Sequence, residues 1–227
     1  MSGFLKIILC GAFFLSTCVS STLAQLTVYN KGIGGQNSGQ GRARFEKDVI
    51  ALKPDYVFIY FGLNDTLNEP AFLPLEKFVA NLEWMAGRTL ESGINPVLCT
   101  IHRVSEEPLY KRHKRDSYGA EGPNGKVGRY NIAIRQLAKE KNIKLADFAC
   151  VVEKAPEYSK IVSSDGVHLT PAGYELLAKT FFGVINKELK GSAKIVCIGD
   201  SVTFGAGAKG AGTIEGETYP AFLKQLK

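Results

Sequence analysis

Five short apolar runs rich in β-branched and aromatic residues alternate with longer stretches of helical period, and this alternation narrows the fold more than any other feature. The runs cover 26–30, 56–61, 96–101, 144–148 and 194–198, and helical patterns occupy 42–52, 75–91, 127–141, 171–189 and 218–227. A helix between two strands carries the chain back to the edge where it started, so successive strands run parallel, and such a sheet needs helices over both faces. The pattern predicts an α/β fold: a three-layer α/β/α sandwich around a five-stranded parallel sheet. Thr170 before Pro171 predicts a capped helix start. In the last helix, Tyr219, Phe222, Leu223 and Leu226 form one apolar stripe at i, i+3, i+4 and i+7. So short a helix is marginal alone and must dock.

The length of 227 residues suits one domain with a sizeable core. Residues 1–25 read as a separate secretory leader: a single Lys6, an apolar run over 7–15, and small polar residues leading to Ala24. A membrane span would need roughly 20 apolar residues, and Ser16, Thr17, Ser20, Ser21 and Thr22 interrupt this run. The expectation is export to the periplasm or medium, with residues 26–227 as the domain. Leu15-Ser16-Thr17-Cys18 loosely matches a lipoprotein box, so a lipid anchor on Cys18 at the cell envelope is the alternative. Removing the leader leaves Cys99, Cys150 and Cys197, each in an apolar stretch, which predicts free thiols rather than a disulfide framework. The net charge of +6 comes from scattered basic residues without interleaved aromatics, which argues against a nucleic-acid partner.

In a parallel sheet every segment that follows a strand lies along one edge, and open α/β sheets bind their ligands there. Those segments are NKGIGGQNSG from Asn30, GLNDT from Gly62, TIHRV from Thr100, SSDGVHLTPAGY from Ser163, and GDSVTFG from Gly199. A serine hydroxyl attacks only when a neighbouring imidazole takes its proton. Of the three histidines, His168 is the best partner for Ser201, because Asp165 three residues earlier can accept its other ring N–H and fix the tautomer. His102, just after a strand, is expected to line the cleft and touch substrate, and His113 to sit in a solvated loop.

Gly199-Asp200-Ser201, Gly35 within NKGIGGQNS, Asn64 within GLND, and Asp165 with His168 in DGVH resemble the four signature blocks of the SGNH (GDSL-like) hydrolase family. The resemblance spans nearly all of 26–227, with the blocks in rotated order. Members of the family open with Gly-Asp-Ser, whereas here it comes last. The chain thus resembles a circular permutant, with the usual ends joined through Gly191-Ser192-Ala193 and new ends between the helix after the serine and the strand at Leu26. Termini close in space make that rearrangement feasible. The resemblance implies a flavodoxin-like arrangement in which the strand at Lys194 sits between those at Leu26 and Tyr56. A truncated tandem domain is the rival account of 194–227, and a dimer exchanging this strand is a further possibility beside a monomer.

The resemblance also implies catalytic roles for Ser201, His168 and Asp165, and an oxyanion hole made of the Ser201 N–H, the Gly35 N–H and the Asn64 amide. Glycine suits such a place because no Cβ blocks the substrate; Gly35 is favoured over Gly34, and a turn-shaping glycine and an Asn64 cap are the plainer alternatives. Asp200 and Asp65 are expected to hold neighbouring loops. No cofactor is implied, and no residue spacing suggests a metal. Residues 205–210 match G-x-G-x-x-G, but they begin too far past the strand and lack the acidic partner that nucleotide binding requires. Asn64-Asp65-Thr66 matches a glycosylation acceptor whose use would block the oxyanion site.

The expected function is a secreted serine esterase that removes short acyl groups, acetyl above all, from a small-molecule or polysaccharide ester through an acyl-enzyme. A lysophospholipase or thioesterase is the alternative enzyme, and a non-catalytic carbohydrate-binding protein the alternative from another class. The insert 102–126 is expected to form part of the cleft wall.

Overall fold

The computed structural model describes residues 25–226, so the expected leader up to residue 24, with Cys18, lies outside the described residues. Five parallel strands form one sheet: β1 (Leu26–Gly32), β2 (Tyr56–Tyr60), β3 (Asn95–Cys99), β4 (Lys144–Ala146) and β5 (Ala193–Gly199), in the order β1-β5-β2-β3-β4. The last strand therefore fills the gap between the first two, pairing with β1 from Leu26↔Ala193 to Gly32↔Gly199 and with β2 from Tyr56↔Ile195 to Tyr60↔Gly199. Its interior position matches its composition. Ile195 to Ile198 are almost wholly buried, as are Val57 to Tyr60 of β2, because a central strand covered on both faces has no polar side.

Ten α-helices surround the described sheet: α1 (Ser38–Ala43), α2 (Phe45–Asp48), α3 (Leu63–Leu67), α4 (Leu75–Glu91), α5 (Glu106–Tyr110), α6 (Gly122–Glu140), α7 (Phe148–Glu153), α8 (Pro171–Ile185), α9 (Ser201–Phe204) and α10 (Tyr219–Gln225). They make two layers. On one face, Phe58 of β2 stacks on Phe181 of α8 at 4.4 Å, and Phe181 stacks on Tyr219 of α10 at 5.5 Å. On the other, Phe61, of opposite strand parity to Phe58, packs beneath Gly41 of α1, while Phe78 of α4 meets Tyr130 of α6 at 5.0 Å. The terminal helix docks as its stripe requires, with Tyr219 and Leu223 fully buried and Thr218 capping the Ala221 N–H. Among the described residues no helix is long and apolar enough to cross a membrane.

The structure departs from the sequence expectations at several boundaries. The single helix expected over 42–52 is three short pieces that break at Arg44 and Val49. Arg44 leaves helical geometry because its guanidinium is committed elsewhere, donating to the carbonyls of Lys31 (2.8 Å) and Gly199 (3.0 Å) and, from Nε, to Gln36 Oε1 (2.7 Å). The helix also starts earlier, at Ser38, where Asn37 and Gln40 form a reciprocal capping box. β4 stops at Ala146 because Asp147 turns the chain into α7 and caps it. The insert 102–126 holds α5, a 3₁₀ segment Arg115–Glu121 and the first turn of α6, which begins at Gly122.

Candidate active site

The C-terminal ends of the strands deliver the candidate residues to one open cleft of about 340 Å³, lined by Gly35, Asn64, His168 and Ser201 together with Leu63, Leu67, Leu109 and Arg112. β5 ends at Gly199, and Asp200 caps the short α9 through its Oδ1 to the Val202 N–H (2.9 Å). Ser201 is thereby placed in the first turn of α9, where a backbone N–H has no carbonyl of its own helix to meet. Its Oγ lies 3.0 Å from His168 Nε2, and His168 Nδ1 lies 2.5 Å from Asp165 Oδ2.

The carboxylate is held by its own turn. Asp165 Oδ1 accepts from the Ser163 hydroxyl (2.7 Å) and from the backbone N–H groups of Val167 (2.8 Å) and His168 (2.9 Å). Burial alone would raise this carboxyl, but those bonds and the His168 ring outweigh it and hold Asp165 well below the usual carboxylate range. An ionised Asp165 keeps the proton of His168 on Nδ1, so Nε2 is free to accept from Ser201.

Opposite the serine, Asn64 stands in α3 with its side chain oriented at both ends. Asn64 Oδ1 accepts from Asn68 Nδ2 (3.1 Å), and Asn64 Nδ2 donates to the Gln36 carbonyl (3.1 Å). Since an amide carries two N–H groups, one is left for an oxygen in the cleft. Gly35 precedes Gln36 with φ 78°, and no atom comes within 4 Å of where a Cβ would be, so that space belongs to the cleft. Asp65 ties this loop to α3: its carboxylate accepts from the Ser38 hydroxyl (2.6 Å) and backbone N–H (3.0 Å). Burial nevertheless pushes Asp65 up to about 6.

One histidine expectation needs correcting. His102 does not line the cleft. It is completely buried between the Tyr60 hydroxyl and the Val167 carbonyl, each 2.7 Å from a ring nitrogen, and so cannot touch substrate in this structure. His113 does stand in a solvated loop, between the exposed Arg112 and Lys114, but its ring turns inward to line the cleft and bonds to Glu69, whose other oxygen takes the Lys114 N–H (2.8 Å). The cleft wall does include the insert, through Leu109, Arg112 and His113.

Sequence reasoning passed over Asn68, Arg44 and Arg112. The spacing of Asn64 and Asn68, i and i+4 on one helical turn, is a signal that points to the first. The two arginines act across 155 and 53 positions, on Gly199 and Asp165, and no local pattern encodes such contacts. The three described cysteines are free, and burial pushes the Cys197 thiol up to about 12 and Cys99 well above its ordinary value, which removes both as nucleophiles. Among the described residues no group of three or more His, Cys, Asp or Glu is placed to hold a metal ion.

Comparisons with known proteins bear on this geometry. The model of the GDSL-like Lipase/Acylhydrolase family matches residues 11–176, a range that ends before Gly199-Asp200-Ser201. The chain is 29% identical over 172 residues to the uncharacterized lipoprotein YqeF of Bacillus subtilis, covering 67% of this chain and 70% of that one. It is 29% identical over 177 residues to an acetylxylan esterase of Geobacillus stearothermophilus, with 72% and 74% covered. Among solved structures, a GDSL-like lipase from Bacteroides thetaiotaomicron superposes with a TM-score of 0.59 at 27% identity, covering 70% of this chain and 75% of the other. The crystal structure of a catalytic mutant of the Geobacillus acetylxylan esterase superposes at 0.54 with 25% identity, covering 68% and 70%.

Proposed function

Given that the chain belongs to the GDSL-like lipase/acylhydrolase family, whose members hydrolyse ester bonds, we propose that it is a serine esterase in which Ser201 is the nucleophile, His168 the general base and Asp165 its orienting carboxylate. The observation that carries this reading is the unbroken relay from Ser201 Oγ to His168 to Asp165 on the wall of a cleft that also holds Gly35 and Asn64. His168 takes the hydroxyl proton as Ser201 attacks the carbonyl. Negative charge then gathers on the carbonyl oxygen, where the N–H groups of Ser201 and Gly35 and the free N–H of the Asn64 amide are the donors. His168 returns the proton to the departing alcohol, and water, activated by the same imidazole, releases the acid from the acyl-serine.

The substrate we propose is a short acyl ester, acetyl above all, on a carbohydrate. Two observations support it: the small cleft, of about 340 Å³, and the likeness to an acetylxylan esterase. Leu63, Leu67 and Leu109 in the lining favour a second reading, a lysophospholipase or thioesterase acting on longer chains. A p-nitrophenyl ester series with Ser201→Ala as control separates these. Preference for acetate together with acetate release from acetylated oligosaccharides upholds the first, and preference for longer chains the second. Turnover that survives Ser201→Ala overturns the catalytic assignment, while the absence of any turnover leaves a carbohydrate-binding protein.

The chain is further read as a circularly permuted family member, exported by a leader over 1–25 and either released or lipid-anchored at Cys18, with residues 26–227 as its domain. What supports the permutation is that β5, last in sequence, lies between β1 and β2 and ends at the candidate nucleophile. What supports export is the leader pattern and the likeness to a lipoprotein.

A further inference from the structure

Asp165 and His168 belong to a turn that closes on itself, since the Ser163 N–H donates to the His168 carbonyl (2.8 Å) and the Gly166 N–H to the Ser163 carbonyl (3.0 Å). Three successive carbonyls of the turn, those of Asp165, Gly166 and Val167, are met by one segment that runs from the end of β3 into α5 and just beyond. Arg112 Nη2 donates to the Asp165 carbonyl (2.9 Å), the Ser105 N–H to the Gly166 carbonyl (2.8 Å) and His102 Nε2 to the Val167 carbonyl (2.7 Å). The contact is tight enough to require glycine: Gly166 has φ 82°, and a Cβ there would stand 2.6 Å from the Ser105 carbonyl oxygen.

Of these three contacts, the one from His102 comes from a completely buried side chain that is tied in turn to β2 through Tyr60. A carbonyl can only accept, so His102 Nε2 carries the proton. Burial lowers this imidazole to about 4, which leaves it neutral near pH 7, and Nδ1 therefore accepts from the Tyr60 hydroxyl, 2.7 Å away. Tyr60 ends β2 in register with Gly199, two residues before the nucleophile. A continuous path thus runs from β2, paired with the strand that leads to Ser201, through the Tyr60 hydroxyl and the His102 ring, to the peptide next to His168.

We propose that His102 is a positioning residue for the general base: by donating to the Val167 carbonyl from a ring fixed by Tyr60, it sets where His168 stands relative to Ser201. The proposal rests on the esterase reading. A pure packing role is the competing account, because the His102 ring also sits edge-on to Phe148 with centroids 5.9 Å apart.

The test compares His102→Gln, whose amide can still donate to the carbonyl, with His102→Leu, which fills space without a donor. Kinetics on p-nitrophenyl acetate are read beside the low-field NMR resonance of the His168 Nδ1 proton, recorded in both the wild type and the Ser201→Ala background. The expected result is a kcat about tenfold to a hundredfold lower in His102→Leu, the size of effect a misplacement of about 1 Å produces, with KM little changed and the low-field resonance shifted or broadened. His102→Gln restores most of both signals. A His102→Leu variant with wild-type kcat and resonance, or a His102→Gln variant as impaired as His102→Leu, overturns the proposal. If His102→Leu does not fold, Tyr60→Phe removes only the hydroxyl that fixes the ring. A lower kcat with a displaced resonance then supports the proposal, and wild-type values for both overturn it. Wild-type protein without Ser201-dependent turnover would sink the esterase reading instead, and the resonance in the Ser201→Ala background still reports on the hold.

Discussion

Asn68 Nδ2, just past the end of α3, donates to Asn64 Oδ1 at 3.1 Å, and together with the bond from Asn64 Nδ2 to the Gln36 carbonyl it fixes how the Asn64 amide faces the cleft. Without the Asn68 bond the Gln36 carbonyl alone holds the amide, and its remaining N–H is aimed less firmly. Asn64→Ala is expected to lower kcat on p-nitrophenyl acetate by about 10² to 10³, and Asn68→Ala to lower it by a smaller factor with little change in KM. An Asn64→Ala enzyme with unaltered kcat would exclude the amide from the oxyanion site.

Asp200 is completely buried, and one of its oxygens has no partner among the described residues. Burial, reinforced by the charge of Asp65, pushes it up to about 7. Between about pH 4 and pH 7 the folded protein therefore binds a proton that the unfolded chain has lost, so Asp200 makes stability fall as pH rises through that window. His102, lowered to about 4, acts in the opposite sense up to about pH 6.5. Because His102 is common to both proteins, comparing Asp200→Asn with wild type cancels it. Thermal melts are expected to show the variant gaining on wild type from pH 4 to pH 7, and a constant gap would mean that Asp200 is ionised throughout.

Leu223 lies fully buried in α10, the helix that packs on α8 and β1. Leu223→Ala is expected to destabilise the fold by about 2–5 kcal/mol, the usual cost of emptying such a site. Urea unfolding measures it. A midpoint unchanged from wild type would show that the last helix is not part of the cooperative unit.

The permutation reading predicts that chain order can be undone. A rearranged chain that starts at Lys190, passes from Lys227 through a short flexible linker into Leu26 and ends at Leu189 is expected to fold with kcat/KM within a few-fold of the original. α10 already packs against β1, so the elements to be joined are neighbours. Failure of that chain to fold, with the parent folding normally, would count against the reading.

Much of this was legible locally. The apolar runs at 56–61 and 194–198 announce strands, and Thr170-Pro171 and the stripe over 218–227 announce helices that the structure places where expected. The pair Asp165 and His168 was readable for the same reason: both lie on one turn, three residues apart, so backbone geometry alone brings them together. Boundaries were less legible wherever a side chain served a distant group, as when Arg44 breaks a helix to hold the ends of β1 and β5.

Residue chemistry and short-range spacing were enough to pair Asp165 with His168 and to offer them as partners for Ser201, whereas Gly35 and Asn64 became candidate donors only through the resemblance to the four signature blocks. Tertiary packing alone could decide what the histidines outside that pair do. Whether His102 faces substrate or the interior depends on which elements close over it. The burial between Tyr60 and Val167 that makes it a neutral internal donor arises only when β2, the end of β3 and the turn that carries Asp165 and His168, far apart along the chain, come to rest against one another.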